Sequence, residues 1–339
     1  MTTIKDIAKL SGYSIGTVSR VLNNHPDVSE EARIRIESII EEQNFAPNSN
    51  AKHLKQQKSS AVTIIVKGYQ NLFFEEMLEE VQANLREAQE NAVVTYLDED
   101  DDEVTTALQL THTKKPKGFI FLGANLELFR EEFNEIDVPC VVLTNTVKGL
   151  GFDNISSFTT DDEYAGYTVI NELIKKGHKR IGIIGGDDSP EGSQVSYRRL
   201  CGCYRAFREH GIPFDRTKQY VPSRYDFQGG YDAMKRLLEK SSDITAVFGL
   251  CDTVAIGAMR AISDLGMKVP DDISIVGFDG IKFGKFTNPR LNTVRQDTKI
   301  LAKKGVSDLL LRLKYTHSVN YEEIPFHIVE RESVKDLTK

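Results

Sequence analysis

The first two dozen residues constrain this chain more than any other stretch. Thr3 to Asn23 reads TIKDIAKLSGYSIGTVSRVLN, two short helical patterns joined by a tight turn. Ile4, Ile7, Ala8 and Leu10 recur at helical spacing, and Ala8 is small enough for a close crossing. Gly12 stands where the turn needs a permissive backbone. Ser14 can cap the next helix by holding one of its free N–H groups. In that second helix Val18, Val21 and Leu22 share one side, while Gly16, Thr17, Arg20 and Asn23 share the other. The inward set can join a three-helix unit; the outward set is free for phosphates and base edges. This is the geometry that places a helix in the major groove of DNA. The plainer alternative is a helical hairpin with a solvated polar face, but such faces usually mix Glu and Lys. This one carries small hydroxyls and one arginine.

A third helix is expected after Ser29, a second N-cap, with Glu30 and Glu31 in its first turn. Ala32, Ile36, Ile39 and Ile40 form its inner stripe. Net charge is −7 for 339 residues, but its distribution matters more than its sum. Residues 1–58 carry a net +1 and the remainder −8. An acidic body repels a phosphate backbone, so DNA contact is confined to the head. A head of +1 binds DNA weakly alone, because affinity comes from phosphate neutralisation. Two heads on a near-palindromic site multiply that affinity, so a homodimer is expected.

The head resembles that of the lactose-repressor/galactose-repressor (LacI/GalR) family of bacterial transcription regulators. TVSRVLN (Thr17–Asn23) carries the likeness most specifically. It continues through PDVSEEARIRIESIIEEQNFAPN (Pro26–Asn48) and, with gaps, to the C-terminus. The resemblance implies that Ile15, Gly16 and Arg20 read bases, and that Ser14, Thr17, Ser19 and Asn23 mostly grip the backbone. Gly16 has no side chain and Ile15 offers only apolar contact, so Arg20 carries more of the polar readout. It also makes residues 47–60 a hinge that becomes helical when two copies pair over the operator. Leu54 falls where the family wedges a leucine into the minor groove. Lys52 stands where the common pairing has arginine, which keeps the charge and loses the forked donor.

From Ala61 onward strand and helix patterns alternate. VTIIV (62–66), VVTYL (93–97), FIFL (119–122) and CVVL (140–143) make one set of apolar runs. RIGIIGG (180–186), YVPSRY (220–225), AVFGL (246–250) and ISIVGFDG (273–280) make another. Helical patterns separate them, as in a parallel sheet covered by helices. The expected fold is an all-α helix-turn-helix head plus an α/β body of two doubly wound parallel-sheet subdomains, which the resemblance makes periplasmic-binding-protein-like. The expected domains are a DNA-binding head (1–46), the hinge (47–60) and an effector-binding and dimerisation body (61–339). Within the body the N-subdomain spans about 61–158 plus 292–319, and the C-subdomain about 161–288 plus 322–339. The chain is expected to cross between them at Ser157–Asp161, Asn288–Asn292 and Ser318–Glu322. The acidic run DEDDDE (98–103) is read as a solvated loop. The dimer face is expected on the helices after Phe74 and after Asp252.

Two doubly wound units hold a small molecule between them, near the strand C-termini. Candidate contacts follow the strands: Asn71 and Phe73 in NLFF, Arg199 in RLCG, Tyr225, Asp252 and Asp279. Carboxylates, a guanidinium and aromatic faces suit a carbohydrate, whose hydroxyls need charged acceptors and forked donors. Phe73 can equally be core, Arg199 can pair with an acid, and Asp252 can N-cap the next helix. Asp279 has the best case, since a carboxylate ending a buried strand needs a partner. Cys251 stands where many relatives have asparagine, and Thr144 where some sugar-responsive members have aspartate, so effector identity stays open. A sugar or sugar phosphate leads.

No phosphate-cradling loop, HExxH or nucleophile-elbow motif occurs, so no catalytic residue and no cofactor is expected. Cys140, Cys201, Cys203 and Cys251 are scattered and suit neither a metal site nor a disulfide framework. There is no apolar signal core and no membrane-length apolar run, which predicts a cytoplasmic protein. The expectation is an effector-controlled transcription regulator, most simply a repressor. Two alternatives stand beside it: control by a phosphocarrier protein in catabolite control, and a plain solute-binding protein, which the N-terminal head disfavours.

Overall fold

The computed structural model describes residues 4–22, 27–43, 61–69, 71–187 and 195–339. The chain divides into a head, residues 1–58, and a body, residues 59–339. The head contains α1 (Ile4–Ser11), α2 (Ile15–Leu22) and α3 (Glu30–Glu42). Gly12 makes the α1–α2 turn with φ +76°, a left-handed backbone that glycine adopts without steric cost. The Thr17 N–H donates to Ser14 Oγ at 3.1 Å, and the Ala32 N–H to Ser29 Oγ at 3.4 Å. Ile7, Ala8, Val18, Val21 and Ile36 form the head's small core. Leu10 departs from the expected stripe: it is 52% exposed, outside that core.

The body runs β1 (Ala61–Lys67), α4 (Leu72–Glu87), β2 (Asn91–Leu97), α5 (Glu103–Lys114), β3 (Gly118–Leu122) and α6 (Leu126–Glu132). There follow β4 (Cys140–Leu143), β5 (Ile155–Thr160), α7 (Asp162–Lys175), β6 (Ile181–Ile184), α8 (Val195–Glu209), α9 (Arg216–Gln219) and β7 (Tyr220–Val221). The chain continues through α10 (Phe227–Lys240), β8 (Ala246–Gly249), α11 (Asp252–Asp264), β9 (Ser274–Asp279) and β10 (Asn292–Arg295). It closes with α12 (Thr298–Lys314), β11 (Tyr321–Ile324) and β12 (His327–Val329).

Two six-stranded sheets result. The first has the order β11-β5-β4-β3-β1-β2 and is parallel throughout; the second has β12-β10-β9-β8-β6-β7, with only β12 antiparallel. Helices cover both faces, so the central strands are apolar on both sides. Val62, Ile64, Ile65 and Val66 of β1 are all buried. α7 and α8 cross closely because Gly166 and Gly202 lack side chains: a Cβ on Gly202 would collide with the Glu163 carbonyl, and one on Gly166 with the Arg199 carbonyl.

The crossings correct the sequence expectation at two of three places. The first follows Thr160, inside the expected range. The second falls after Arg295, because β10 still pairs with β9 of the second sheet (Asn292 with Val276). The third falls after Ile324, because β11 still pairs with β5 of the first sheet (Tyr321 with Ser157). Both crossings lie later than expected because β10 (NTVR) and β11 (YEEI) are short strands without an apolar run.

Candidate functional site

On the head, α2 presents the predicted face outward. Ser14, Ile15, Gly16 and Arg20 are exposed, and Thr17 and Ser19 are half-buried. Ser14 Oγ and Thr17 Oγ1 lie 3.0 Å apart and share a hydrogen bond. Arg20 Nη1 lies 3.5 Å from Asp27 Oδ2, an exposed pair that water screens. Asn23, Lys52, Leu54 and the whole 47–60 hinge lie outside the described residues.

In the body, the C-terminal ends of both sheets face one cleft of about 710 Å³, within the range of small-molecule sites. Each sheet reverses strand order at one point, between β1 and β3 and between β6 and β8. Such switch points splay the following loops and open a crevice. The loops after β1, β2, β3, β4, β7 and β8 all supply cleft residues.

Asn71, Phe73, Arg199, Tyr225 and Asp279 line the cleft together. Asn71 also caps α4, its Oδ1 accepting from the Phe73 N–H at 3.1 Å. Phe73 is 3% exposed and belongs mainly to the core beneath the first sheet. Arg199 is buried; its Nε donates to Asp162 Oδ1 at 2.8 Å, Nη1 donates to the Leu250 carbonyl, and the guanidinium stacks 3.5 Å over the Phe278 ring. Asp279 ends β9 at φ +110°, a backbone strained for any residue but glycine. Its Oδ1 accepts from Gln296 Nε2 at 2.8 Å. Burial pushes its carboxyl up to about 7, against the pull of Arg199. The Tyr225 hydroxyl is buried with no well-formed hydrogen bond among the described residues.

Asp252 does not line the cleft. It is fully buried, with Oδ1 accepting from Thr293 Oγ1 at 2.6 Å and Oδ2 from the Ile281 N–H at 2.8 Å. Nor is it the cap of α11, since Cys251 Sγ accepts from the Val254 N–H at 3.4 Å. Asp252 instead ties α11 to two neighbouring segments of the second lobe. Cys251 and Thr144 both face the cleft.

Only part of the acidic run is a solvated loop: Asp100 and Asp101 are exposed, but Asp102 and Glu103 are not. Asp102 caps α5 through the Val104 and Thr105 N–H groups. Glu103 is fully buried; it pairs with Lys67 Nζ at 2.6 Å and accepts from the Asn125 N–H. Asp98, Glu99 and Asp100 reach Arg224, which follows β7 of the other sheet, at 2.5, 3.5 and 2.7 Å. Sequence reading missed these groups and Gln296. The available signal was Arg224 itself, one residue before Tyr225 in a post-strand loop, with an unmatched acidic run elsewhere.

His178 is buried and structural, its ring nitrogens 3.0 Å from Thr245 Oγ1 and from the Lys335 carbonyl. The four cysteines are free thiols. Among the described residues no group of three or more His, Cys, Asp or Glu side chains could hold a metal ion. No described helix is long and apolar enough to cross a membrane.

Comparison with known proteins agrees with this architecture. Residues 3–48 match the model for bacterial regulatory proteins of the lacI family, and residues 170–334 match a periplasmic binding protein-like domain. The chain is 37% identical to the transcriptional regulator MalR of Clostridium butyricum, over 97% of this chain and 98% of that one. It is 32% identical to the ribose operon repressor of Haemophilus influenzae, over 99% and 100%. A LacI family regulator from Enterococcus faecium, solved with bound ribose, superposes with a TM-score of 0.69 at 26% identity, covering 81% of this chain and 99% of that one. With the head, the two-lobed body and full-length relatives in agreement, the chain belongs to the LacI family of bacterial transcriptional regulators.

Proposed function

We propose that this protein is a homodimeric repressor whose operator affinity is set by a small polyhydroxylated effector held between the two lobes of the body. The observation that carries this reading is the convergence of Asp279, Arg199, Asn71 and Tyr225 on one cleft at the ends of two parallel sheets. Carboxylate, guanidinium, amide and phenol groups supply acceptors and donors for several hydroxyls at once. A relative named the ribose operon repressor, and a similar structure holding ribose, support the same ligand class.

On the head, Arg20 is the reader of base edges, with Ile15 and Gly16 beside it and Ser14, Thr17, Ser19 and Asn23 on the phosphates. Leu54 wedges into the minor groove when two hinges pair. The effector shifts the body between two lobe arrangements, and that shift favours or disfavours the paired hinge. A coupling of about 1–3 kcal/mol alters operator affinity some 5–150-fold.

The test is fluorescence anisotropy of full-length protein on its own promoter fragment, with and without a panel of sugars. The reading expects dimeric stoichiometry and a change in affinity with at least one sugar. No response to any small molecule would instead support control by a protein partner.

A further inference from the structure

Three cationic side chains line the cleft among the described residues, and each is already held by the protein's own anions. Lys67 is held by Glu103, Arg199 by Asp162, and Arg224 by Asp98, Glu99 and Asp100. The first two pairs are fixed: neither carboxylate is more than 2% exposed, and the cations are 12% and 4% exposed. Only the Arg224 pairings are open to solvent, with Arg224 49% exposed. Asp279 adds a buried carboxylate on the opposite wall.

Charge therefore decides which ligands fit. A phosphate or uronate entering this cleft meets the Asp98–Asp100 carboxylates, and every cation among the described lining residues is already paired. To recruit Arg224 it must first displace three carboxylates that converge on one guanidinium. A neutral polyol faces no such contest: Asp279 and Glu99 offer acceptors and Arg199 offers donors to its hydroxyls.

We propose that Arg224 and the Asp98–Asp100 run form a specificity clasp across the cleft mouth. By occupying the one solvent-exposed cation among the described lining residues, the clasp reserves the cleft for an uncharged polyhydroxylated effector and refuses phosphorylated and uronic analogues. The clasp also joins the loop after β2 to the loop after β7, so the same contacts favour the closed lobe arrangement. This inference rests on the proposed effector reading and narrows its ligand class.

The experiment is calorimetric titration of the full-length protein, at fixed pH and ionic strength, with matched probes. Glucose, ribose, maltose and cellobiose are compared with glucose 6-phosphate, ribose 5-phosphate and glucuronate. The expected result is binding of at least one neutral sugar, with its anionic counterpart at least 100-fold weaker. In the Asp98→Asn/Glu99→Gln/Asp100→Asn variant Arg224 is released, and the anionic counterpart gains at least tenfold relative to the neutral sugar. Adding Arg224→Gln to that variant abolishes the gain, which assigns it to the guanidinium. All four side chains are at least partly exposed, Glu99 least at 32%, and circular dichroism checks that each variant is folded. An anionic probe that binds the unmodified protein as tightly as its neutral counterpart overturns the clasp while leaving the effector reading intact. So does a selectivity ratio unchanged by the triple variant. Binding of no probe of either charge overturns both.

Discussion

Gln296 Nε2 donates to Asp279 Oδ1 at 2.8 Å, and the same side chain joins a cleft carboxylate to the hinge between the lobes. Gln296 lies in the second crossing, just after β10, and its Oε1 accepts from Thr160 Oγ1 at 2.8 Å at the end of β5, where the first crossing begins. All three residues are buried. A change in the hydrogen bonding of Asp279 is thus felt at two of the three strands that connect the lobes. Gln296→Leu removes both bonds and leaves two buried polar groups unpaired. The expected cost is about 1–3 kcal/mol per group, read as a lower urea midpoint, together with a weaker effector response on operator DNA. An unchanged midpoint would remove Gln296 from this role.

Asp279 also sets a pH dependence. Burial holds its carboxyl at about 7 against an ordinary 3.8. Between those values the folded protein keeps a proton that the unfolded chain has released, so this contribution to stability is full below about pH 4 and is lost as pH rises through about 7. Asp279→Asn should flatten that part of the stability curve, measured by urea unfolding from pH 5 to 8. A sugar whose hydroxyls donate to this group favours the carboxylate. Its binding should therefore release a proton near neutral pH, seen by calorimetry in buffers of different ionisation enthalpy.

Gly202 sits where α8 crosses α7, and a methyl group there would strike the Glu163 carbonyl. Gly202→Ala must push the helices apart, at an expected cost of about 1–3 kcal/mol. Because Arg199 lies one turn earlier on α8, its reach to the Leu250 carbonyl should suffer too. Thermal unfolding measures the first effect and effector titration the second.

Arg20 is the long polar side chain on the exposed face of α2. Arg20→Ala should reduce the preference for operator over scrambled DNA by the worth of a forked base contact, about 1–3 kcal/mol. Competition anisotropy at one salt concentration measures this. Retention of full preference would place recognition elsewhere on the head.

Much of this architecture was legible because it rests on local rules. Strongly apolar β1, β3, β4 and β9 announce themselves by composition, and Gly12 and Ser14 mark a helical turn by chemistry. β5 was harder: ISSFTT is polar in sequence yet fully buried. Its hydroxyls are taken up by distant backbone, Ser157 Oγ by the Val147 N–H and Ser156 Oγ by the Asn320 N–H. A polar strand becomes central only when such partners arrive from elsewhere in the chain, and no local pattern foretells that. Asp252 misled for a related reason. A carboxylate after a strand reads as a cleft group, but Thr293 and Ile281 claim it from inside. The acidic run was misread because Arg224 lies more than a hundred residues away and meets it only when the two lobes face each other.

The last twenty residues provide an edge strand for each sheet, β11 for the first and β12 for the second. Beyond them Ser333 Oγ donates to the Ile275 carbonyl and the Lys335 carbonyl meets His178. Neither lobe is therefore complete while its own early strands are the only ones available. The same short segment thus closes one edge of each sheet, so cutting the chain between β10 and β11 would strip a strand from both lobes at once.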